Sequence, residues 1–306
     1  MVVRRVERSE GRGCEVKFDI VKNRKWYFGF SILISIAGIL IMLLMGLNLG
    51  TDFEAGSRVQ FNVGQAFTEK EITEKFEANL KTIEVSAVQE IENYGAVVRI
   101  AKKITPEEEN QINEYLNKNY KNAAPQISSI DPVVARELAE KAIYAILYAS
   151  LGIILYMAVR FEYRFAIAGV ISVLQVVLVV VSIFALFRFE IDITFIAAIL
   201  TIVGYSIHDT IVIFDRIREN LKHYKVKTVS DLENLVNDSI WQTMARSINT
   251  VLTVVFSAGM LYLLGGAAIK HFSLALLIGL VTGAYSSIFI ASQLWVAWKS
   301  RELKKA

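Results

Sequence analysis

The amino-acid sequence predicts an α-helical polytopic membrane protein. We expect six transmembrane helices, with one α+β domain of ferredoxin-like fold between the first and second. The chain has 306 residues, 54% of them hydrophobic, and a mean hydropathy of +0.43, which is high for a soluble chain of this length. Its apolar residues form long blocks, as in helices that cross about 30 Å of hydrocarbon, rather than the alternation typical of barrel strands. Lys and Arg are concentrated in alternate connections, which predicts the topology.

Residues 1–25 form a polar segment with eight Lys or Arg residues, including Arg4, Arg5 and Arg24. The apolar run 26–47 that follows is too long and too rich in Leu and Ile for a signal-peptide core. It also lacks a small-x-small cleavage site. We therefore expect a retained first span and a cytoplasmic N-terminus.

Residues 48–135 are predicted to form an extracytoplasmic domain. Its elements alternate in the order β-α-β-β-α-β, which is the ferredoxin-like order. The predicted strands and helices are, in chain order, 57–63, 68–80, 82–90, 94–102, 105–119 and 126–130. Two of the strands flank an Asn-Tyr-Gly turn, and the second helix opens with Thr-Pro-Glu-Glu, a capped start. Because this fold hosts many functions, it does not specify one.

Residues 136–298 are predicted to carry the other five spans as one transmembrane domain. The spans are expected at 133–160, 165–187, 192–220, 244–264 and 271–298, followed by a basic tail, 299–306. The connection 216–244 is basic and amphipathic; we interpret it as a retention signal that contacts lipid headgroups, with partner docking as the alternative. The positive-inside rule places both termini, the 160–164 turn and this connection in the cytoplasm.

The fourth predicted span contains an unusual set of polar residues. Within the span lie Gly204, Tyr205, Ser206, His208, Asp209 and Thr210. An ionised Asp near the middle of a membrane costs roughly 3 kcal/mol on insertion scales, so Asp209 is expected to face protein or water and is a candidate functional residue. The alternative is a helix that enters water early, with Asp209 as a solvated interface residue.

The fifth predicted span has a polar face that matches the fourth in depth. Its members recur at helical spacing: Arg246, Asn249, Thr250, Thr253 and Ser257. Asp209 and Arg246 should lie at similar depth on antiparallel neighbours, so we expect them to face each other as a proton-sensitive pair. The alternatives are a static ion pair that holds the two helices in register, and an Arg246 side chain that extends to the interface.

Other candidate sites are weaker. His271, at the outer end of the sixth span, is either a group that titrates near neutral pH or a wetted interfacial residue. The three histidines lack metal-ligand spacing, and the single cysteine, Cys14, excludes a disulfide within the chain. The sequence has no Walker loop, GxSxG, HExxH or CxxC, so we expect neither an enzyme nor a bound metal or cofactor. Small residues at four-residue spacing in the sixth span (Ala275, Gly279, Gly283 and Ser287) predict close helix packing.

The segment GYSIHDTIVIFDRIREN closely resembles the G-Y-S-x-x-D-T-x-x-x-x-D-R-I-R-E-N signature of the bacterial SecF family. The matching positions are Gly204, Tyr205, Ser206, Asp209, Thr210, Asp215, Arg216, Arg218, Glu219 and Asn220. The segment LGTDFEAGS is similar to the family's L-G-x-D-F-x-G-G motif. It matches at Gly50, Asp52, Phe53 and Gly56. KFDIVKNRKWYF, DPVVARELAEKA, RFEYRFAIA, ARSINTVLT and FSLALLIGLVTGAYSSIFIAS extend the resemblance from about Lys17 to the tail.

The resemblance implies a half-transporter of the resistance-nodulation-division superfamily in the bacterial cell membrane. Its implied partners are SecD, the SecYEG channel with its insertion factors, exported preproteins and lipid, but not nucleic acid. The implied activity is use of the proton-motive force to promote translocation after SecA, with Asp209 and Arg246 at the proton pathway. Alternatives are a small-molecule or lipid exporter, and a scaffold that recruits insertion factors to the channel.

The sequence departs from the family pattern at three places. Leu174-Gln175 stands where family members commonly carry a His-Asp pair, an acidic residue is missing near His271, and Ala55 replaces the first Gly of the G-G pair. The first two departures argue against a relay that needs a second intramembrane carboxylate on this subunit. Either the partner supplies one, or His271 takes a share, or the coupling differs.

Overall fold

A computed structural model of the chain describes residues 3–5, 16–54, 56–80, 83–91, 94–120, 123–224 and 226–304. The chain divides into two compact units. One is Leu49–Ala145, and the other, here called the membrane unit, combines Met1–Asn48 with Ile146–Ala306. Cys14, Ala55 and Asn93 of the predicted turn lie outside the described residues.

The described residues form strands and helices in nearly the predicted order. The strands are β1 (Val3–Arg5), β2 (Val16–Phe18), β3 (Gly56–Asn62), β4 (Val85–Ile91), β5 (Gly95–Ile100) and β6 (Gln126–Ile130). The helices are α1 (Arg24–Met45), α2 (Thr51–Glu54), α3 (Glu69–Asn79), α4 (Pro106–Asn119), α5 (Pro132–Arg160), α6 (Tyr163–Leu186), α7 (Ile193–His223), α8 (Val229–Leu264), α9 (Ala267–Ser286) and α10 (Ser292–Leu303). A π-helical turn, Ser287–Ala291, joins the last two helices.

The smaller unit has the predicted ferredoxin-like topology. Its sheet has the strand order β4-β5-β3-β6, and every neighbouring pair is antiparallel. Val59 in the central strand lies opposite Val98 on one side and Ile127 on the other. The side chains that alternate toward one face of the sheet are buried in a single core with apolar residues of α3 and α4, such as Phe76 and Leu116. The predicted fold of this domain is confirmed.

Local sequence signals determine where helix α4 of this unit begins. The Thr105 hydroxyl accepts a hydrogen bond from the Glu108 amide at 3.3 Å, and the Glu108 carboxylate accepts one from the Thr105 amide at 3.0 Å. This is the reciprocal capping box that the Thr-Pro-Glu-Glu segment predicts. A hydrogen bond from Lys102, at 2.6 Å, together with the bond from the Thr105 amide, lowers the pKa of the Glu108 carboxyl.

Six helices of the described residues are long and apolar enough to cross a membrane, as predicted. They are α1, α5, α6, α7, α8 and the last helix, counted from Ile269 to Leu303 through the π-helical turn. Continuous blocks of apolar residues form helices in a membrane, because a spanning helix makes all its backbone N–H to C=O hydrogen bonds within itself. The tail predicted at 299–306 is helical as far as Leu303.

We predicted 216–244 as a connection between two spans. In the structure this segment is helical over most of its length. The helix α7 continues to His223, and α8 already begins at Val229. No Gly or Pro interrupts 216–244. A second capping box, between Thr228 and Asp231, starts α8. Lys225 lies outside the described residues.

The polar segment 1–25 also has structure that the sequence analysis did not predict. β1 and β2 pair as antiparallel strands. The chain then runs along α8, where Trp241 Nε1 donates to the Phe18 carbonyl at 3.0 Å and the Ile20 amide donates to Asn237 Oδ1 at 2.9 Å. Arg24 completes this series with an ion pair to Glu233 at 2.7 Å. The three partners on α8 recur every four residues, so the segment lies along one face of that helix.

Candidate functional site

The helix α7 carries most of the candidate residues, and it is anchored at its first turn. The Asp192 carboxylate caps the helix by accepting a hydrogen bond from the Phe195 amide at 2.8 Å. Farther along, Asp209 is buried, with 7% of its surface exposed, whereas Tyr205 and His208 are exposed. The face of α7 that carries Asp209 is therefore turned into the bundle.

The Asp209 carboxylate borders a cavity of about 10 Å³ between α7, α8 and α9, which is the room that one water molecule needs. Its Oδ2 atom is buried and makes no hydrogen bond to any described residue, and the same holds for Ser206 Oγ and Ser247 Oγ. The polar groups that influence Asp209 are the Ser247 hydroxyl, the His208 imidazole and the Arg246 guanidinium. Burial of polar atoms without partners costs on the order of 1–3 kcal/mol each. Such a cluster is typical of functional sites rather than of a packed core.

Asp209 and Arg246 are at similar depth, but the expected direct ion pair is absent among the described residues. Ser247, with 2% of its surface exposed, is the residue of α8 that is turned into the bundle. Because consecutive helical side chains point about 100° apart, Arg246 is directed away from the bundle interior. Its charge acts on Asp209 through space.

Arg246 borders a second, open cavity of about 580 Å³ at the end of the membrane unit that contains the α7–α8 turn. The cavity is lined by polar and apolar residues of both helices: His208, Ile211, Val212, Asp215, Arg216, Glu219, Gln242, Thr243 and Arg246. His208 borders both cavities. The two cavities are therefore adjacent, with His208 at their boundary.

The second half of the signature segment forms contacts that hold helix ends together. Asp215 accepts a hydrogen bond from Arg160 at 3.1 Å, and Arg218 donates to the Arg160 carbonyl at 3.2 Å. Arg216 pairs with Glu219 at 2.7 Å. Asn220 donates to Ser239 and Gln242 of α8, at 2.7 and 3.0 Å. We call this region, defined by Arg160, Asp215, Arg216 and Arg218, the basic end of the membrane unit.

The polar residues of the fifth span mostly face away from the chain. We call Arg246, Asn249, Thr253 and Ser257 the polar stripe of α8; all four are exposed. Thr250 is half-buried and borders the small cavity. The Thr253 and Ser257 hydroxyls donate to carbonyls of their own helix, at 2.8 and 3.1 Å. In the apolar part of α8 only 11% of the residues are buried within this chain.

Two polar clusters escaped the sequence analysis. At the π-helical turn, the Thr210 and Ser287 hydroxyls are 2.8 Å apart, and both lie within hydrogen-bonding distance of the Ser206 carbonyl. A π-helical turn inside an α-helix is frequently found at functional sites. The consecutive serines 286 and 287 in the sixth span were the available signal.

The second cluster surrounds Gln175, one of the positions at which the sequence departs from the resembled pattern. Its amide nitrogen donates to the Ser31 hydroxyl of α1, and its amide oxygen accepts from the Ser286 hydroxyl at 3.2 Å. Ser286 also lies 3.0 Å from the Ser172 carbonyl. Leu174 is exposed. This position therefore carries a neutral group that links three helices.

The remaining residues that the sequence singled out lie where packing or backbone geometry accounts for them. His271 is half-buried beside the rings of Phe184 and Phe189, whose centroids are 6.3 and 5.8 Å from its own. In the first motif, Gly50 is buried, Asp52 and Phe53 lie in α2, and the Phe53 amide bonds to the Gly50 carbonyl at 3.0 Å. Gly56 has φ +119, where a side chain would be strained and would meet the Ile100 carbonyl. Gly204 is exposed, with open space around it.

The fold and the site together define a polytopic membrane protein with a buried carboxylate among its spans. Residues 110–301 match the family model of the C-terminal part of the protein export membrane proteins SecD and SecF. The chain is 48% identical to the protein translocase subunit SecF of Alicyclobacillus acidocaldarius, over 95% of this chain and 96% of that one. It therefore belongs to the SecD/SecF family of protein export membrane proteins.

Longer relatives match as well. The chain is 46% identical to the translocase subunit SecDF of Bacillus subtilis, over 94% of this chain and 39% of that one. The crystal structure of SecDF from Thermus thermophilus, described as a translocon-associated membrane protein, has a TM-score of 0.85 at 29% identity. The match covers 93% of this chain and 39% of that chain. This chain thus spans well under half the length of the SecDF proteins that it resembles.

Proposed function

We propose that this chain acts with a SecD partner as the SecF-type subunit of an accessory complex of the Sec translocase. The complex uses the proton-motive force to promote preprotein translocation and release after SecA and SecYEG. One observation carries the proposal: a buried carboxylate, Asp209, has an oxygen without a hydrogen-bond partner in the middle of a spanning helix. When a carboxylate in such surroundings gains or loses a proton, the electrostatic interactions with its buried neighbours change strongly.

The coupling step follows from the charges around this carboxylate. When ionised, Asp209 is attracted by the charge of Arg246 on the next helix; when protonated, it is not. Protonation therefore changes the free-energy difference between two arrangements of α7 and α8. A proton that crosses the membrane potential supplies about 2.3 kcal/mol per 100 mV, enough to shift such a two-state equilibrium. Movement of the ferredoxin-like domain is the proposed output.

The exposed polar stripe supports SecD as the neighbouring subunit. The exposed Asn249 amide would lose hydrogen bonds to water if it faced lipid, whereas a second membrane subunit offers partners. The SecDF relatives contain a chain of more than twice this length, which is consistent with a SecD half joined to a SecF half. SecYEG, its insertion factors, exported preproteins and the lipid bilayer are the further proposed partners.

The distribution of basic residues supports a location in the bacterial cell membrane with both termini in the cytoplasm. The basic end holds Arg160, Arg216 and Arg218, which the positive-inside rule assigns to the cytoplasm. The open cavity at this end then faces the cytoplasm. By the same rule the ferredoxin-like domain is proposed to be extracytoplasmic.

The test measures preprotein release from vesicles that contain this chain and SecD, with and without an imposed proton gradient. Asp209→Asn keeps the size and polarity of the side chain but removes its titration, so the gradient-dependent component should be lost. Asp238→Asn, the same change at a half-buried position of α8 outside both cavities, is the matched control and should keep it. If Asp209→Asn retained the full gradient response while the complex assembled, the proposal would be wrong.

A further inference from the structure

His208 is the residue that connects the two cavities of the membrane unit. It borders the small cavity beside Asp209 and the open cavity at the basic end. Its side chain is exposed, whereas Asp209, the next residue, is buried. The buried carboxylate therefore has a titratable neighbour that reaches a water-sized space on one side and an open, partly polar space on the other.

Histidine is suited to such a position because its two ring nitrogens can bind a proton on one side and release one on the other. In the signature segment this residue occupies an unspecified position. Among the described residues that border the two cavities, no titratable side chain other than His208 borders both.

We propose that His208 transfers protons between Asp209 and the open cavity. This inference rests on the proposed function, because it describes how protons leave the coupling carboxylate. In the direction that the gradient drives, the Asp209 carboxylic acid gives its proton, across the small cavity, to one ring nitrogen of His208. The proton on the other ring nitrogen then passes to water in the open cavity. One proton enters and one leaves, so the imidazole returns to its neutral form after its tautomers exchange.

The space between the two groups fits this route. The small cavity has room for one water molecule, and three buried oxygens without partners border it or lie next to it: Ser206 Oγ, Asp209 Oδ2 and Ser247 Oγ. A water molecule needs two to four polar partners, and these oxygens supply enough. Such a water would accept and donate one proton in each transfer, with no net change.

The titratable groups that face His208 include side chains of both charge signs. On its own helix the facing titratable groups are Asp209, Asp215, Arg216, Glu219 and the phenol of Tyr205. On α8 the facing charge is Arg246. The residues of α9 at the small cavity, Gly279, Leu280, Gly283 and Ala284, carry none. The open cavity therefore has two acidic and two basic side chains around the imidazole.

The experiment measures gradient-dependent preprotein release, over a range of pH, from vesicles with SecD and His208→Ala. General acid–base groups typically contribute about 10²–10⁴-fold to a proton transfer, so the gradient-dependent rate should fall at least about tenfold. Imidazole added on the side of the basic end should restore part of it, because the open cavity is large enough to admit the ring. The control is His223→Ala, which changes the same residue type at the end of the same helix, outside both cavities, and should behave as the unchanged chain does.

The pH profile separates transfer from a structural role. The pH profile of the gradient-dependent rate should differ between the unchanged chain and His208→Ala, because alanine removes the titratable ring. If His208→Ala retained the rate and profile while Asp209→Asn abolished the gradient response, the inference would be overturned and the proposed function would stand. A lowered rate with an unchanged profile and no imidazole rescue would also overturn it. If both His208→Ala and Asp209→Asn kept the gradient response, the proposed function itself would be refuted.

Discussion

The contact between α7 and α9 depends on the missing side chain of Gly279, which makes Gly279→Ala an informative substitution. A Cβ atom at this position would lie 2.5 Å from Ile202 Cγ1 and 2.7 Å from Cγ2, and it would also clash with Cδ1. Ile202 is buried, with 1% of its surface exposed, so it has little room to move. Insertion of a methyl group into a packed interface typically costs about 1–3 kcal/mol. We expect Gly279→Ala to destabilise the membrane unit by an amount in this range.

The assay is thermal unfolding of the purified chain in detergent, with gradient-dependent release in vesicles as a second readout. Gly152→Ala is the matched control, because no atom lies within 4 Å of the place that its Cβ would occupy and alanine is the better helix former by roughly 1 kcal/mol. Gly152→Ala should therefore be neutral or slightly stabilising. The same small cavity borders Gly279 and Asp209, so displacement of α9 should also reduce the gradient response.

A double substitution tests the stated cause. Ile202→Ala should be destabilising alone by about 2–5 kcal/mol, but in combination with Gly279→Ala it should remove the clash. The combined effect should then be smaller than the sum of the two single effects by about 0.5–3 kcal/mol. Additive effects, or a Gly279→Ala variant as stable as Gly152→Ala, would refute the reasoning.

Two further predictions concern other parts of the chain. Gln175→Leu removes the amide that links Ser31 and Ser286. It should lower the stability of the membrane unit by about 1–3 kcal/mol, because buried hydroxyls lose a hydrogen-bond partner. Thermal unfolding in detergent would check this, and an unchanged unfolding midpoint would contradict it. Glu108 has a pKa below its ordinary value of 4.5 in the folded domain, so its contribution to stability is present above pH 4.5 and is lost as the pH falls through the lowered value. Glu108→Gln should therefore reduce the acid sensitivity of unfolding of this domain, measured by circular dichroism; equal sensitivity in both proteins would show that the carboxylate is not responsible.

Patterns in the chain were sufficient to predict the membrane spans. A block of about twenty apolar residues has one stable form in a bilayer, so α1 and α6 could be located within a few residues. The ferredoxin-like order was also readable, because its strands and helices have distinct periods and the capping residues mark where helices begin. The connection 216–244 was harder, because a polar amphipathic helix outside the membrane has a weaker signal than a span.

The site was predicted in part. The cost of an intramembrane carboxylate singled out Asp209, and the helical spacing of α8 located the polar stripe. Depth alone suggested that Asp209 and Arg246 face each other. Depth does not specify rotation about the helix axis, and a difference of one residue turns a side chain by about 100°. Ser247 therefore points into the helix bundle, and Arg246 borders the open cavity.

The sequence by itself determined which segments span the membrane, the order of the elements in the ferredoxin-like domain, and the presence of a charged group where apolar residues are expected. These properties depend on local composition and periodicity, which each segment carries independently of its neighbours. Only the tertiary structure decided that His208 borders two cavities, that Gln175 links three helices, and that the first segment lies along α8. Such arrangements depend on how helices rotate and pack against one another, and that packing is determined by the whole set of contacting side chains rather than by any one segment.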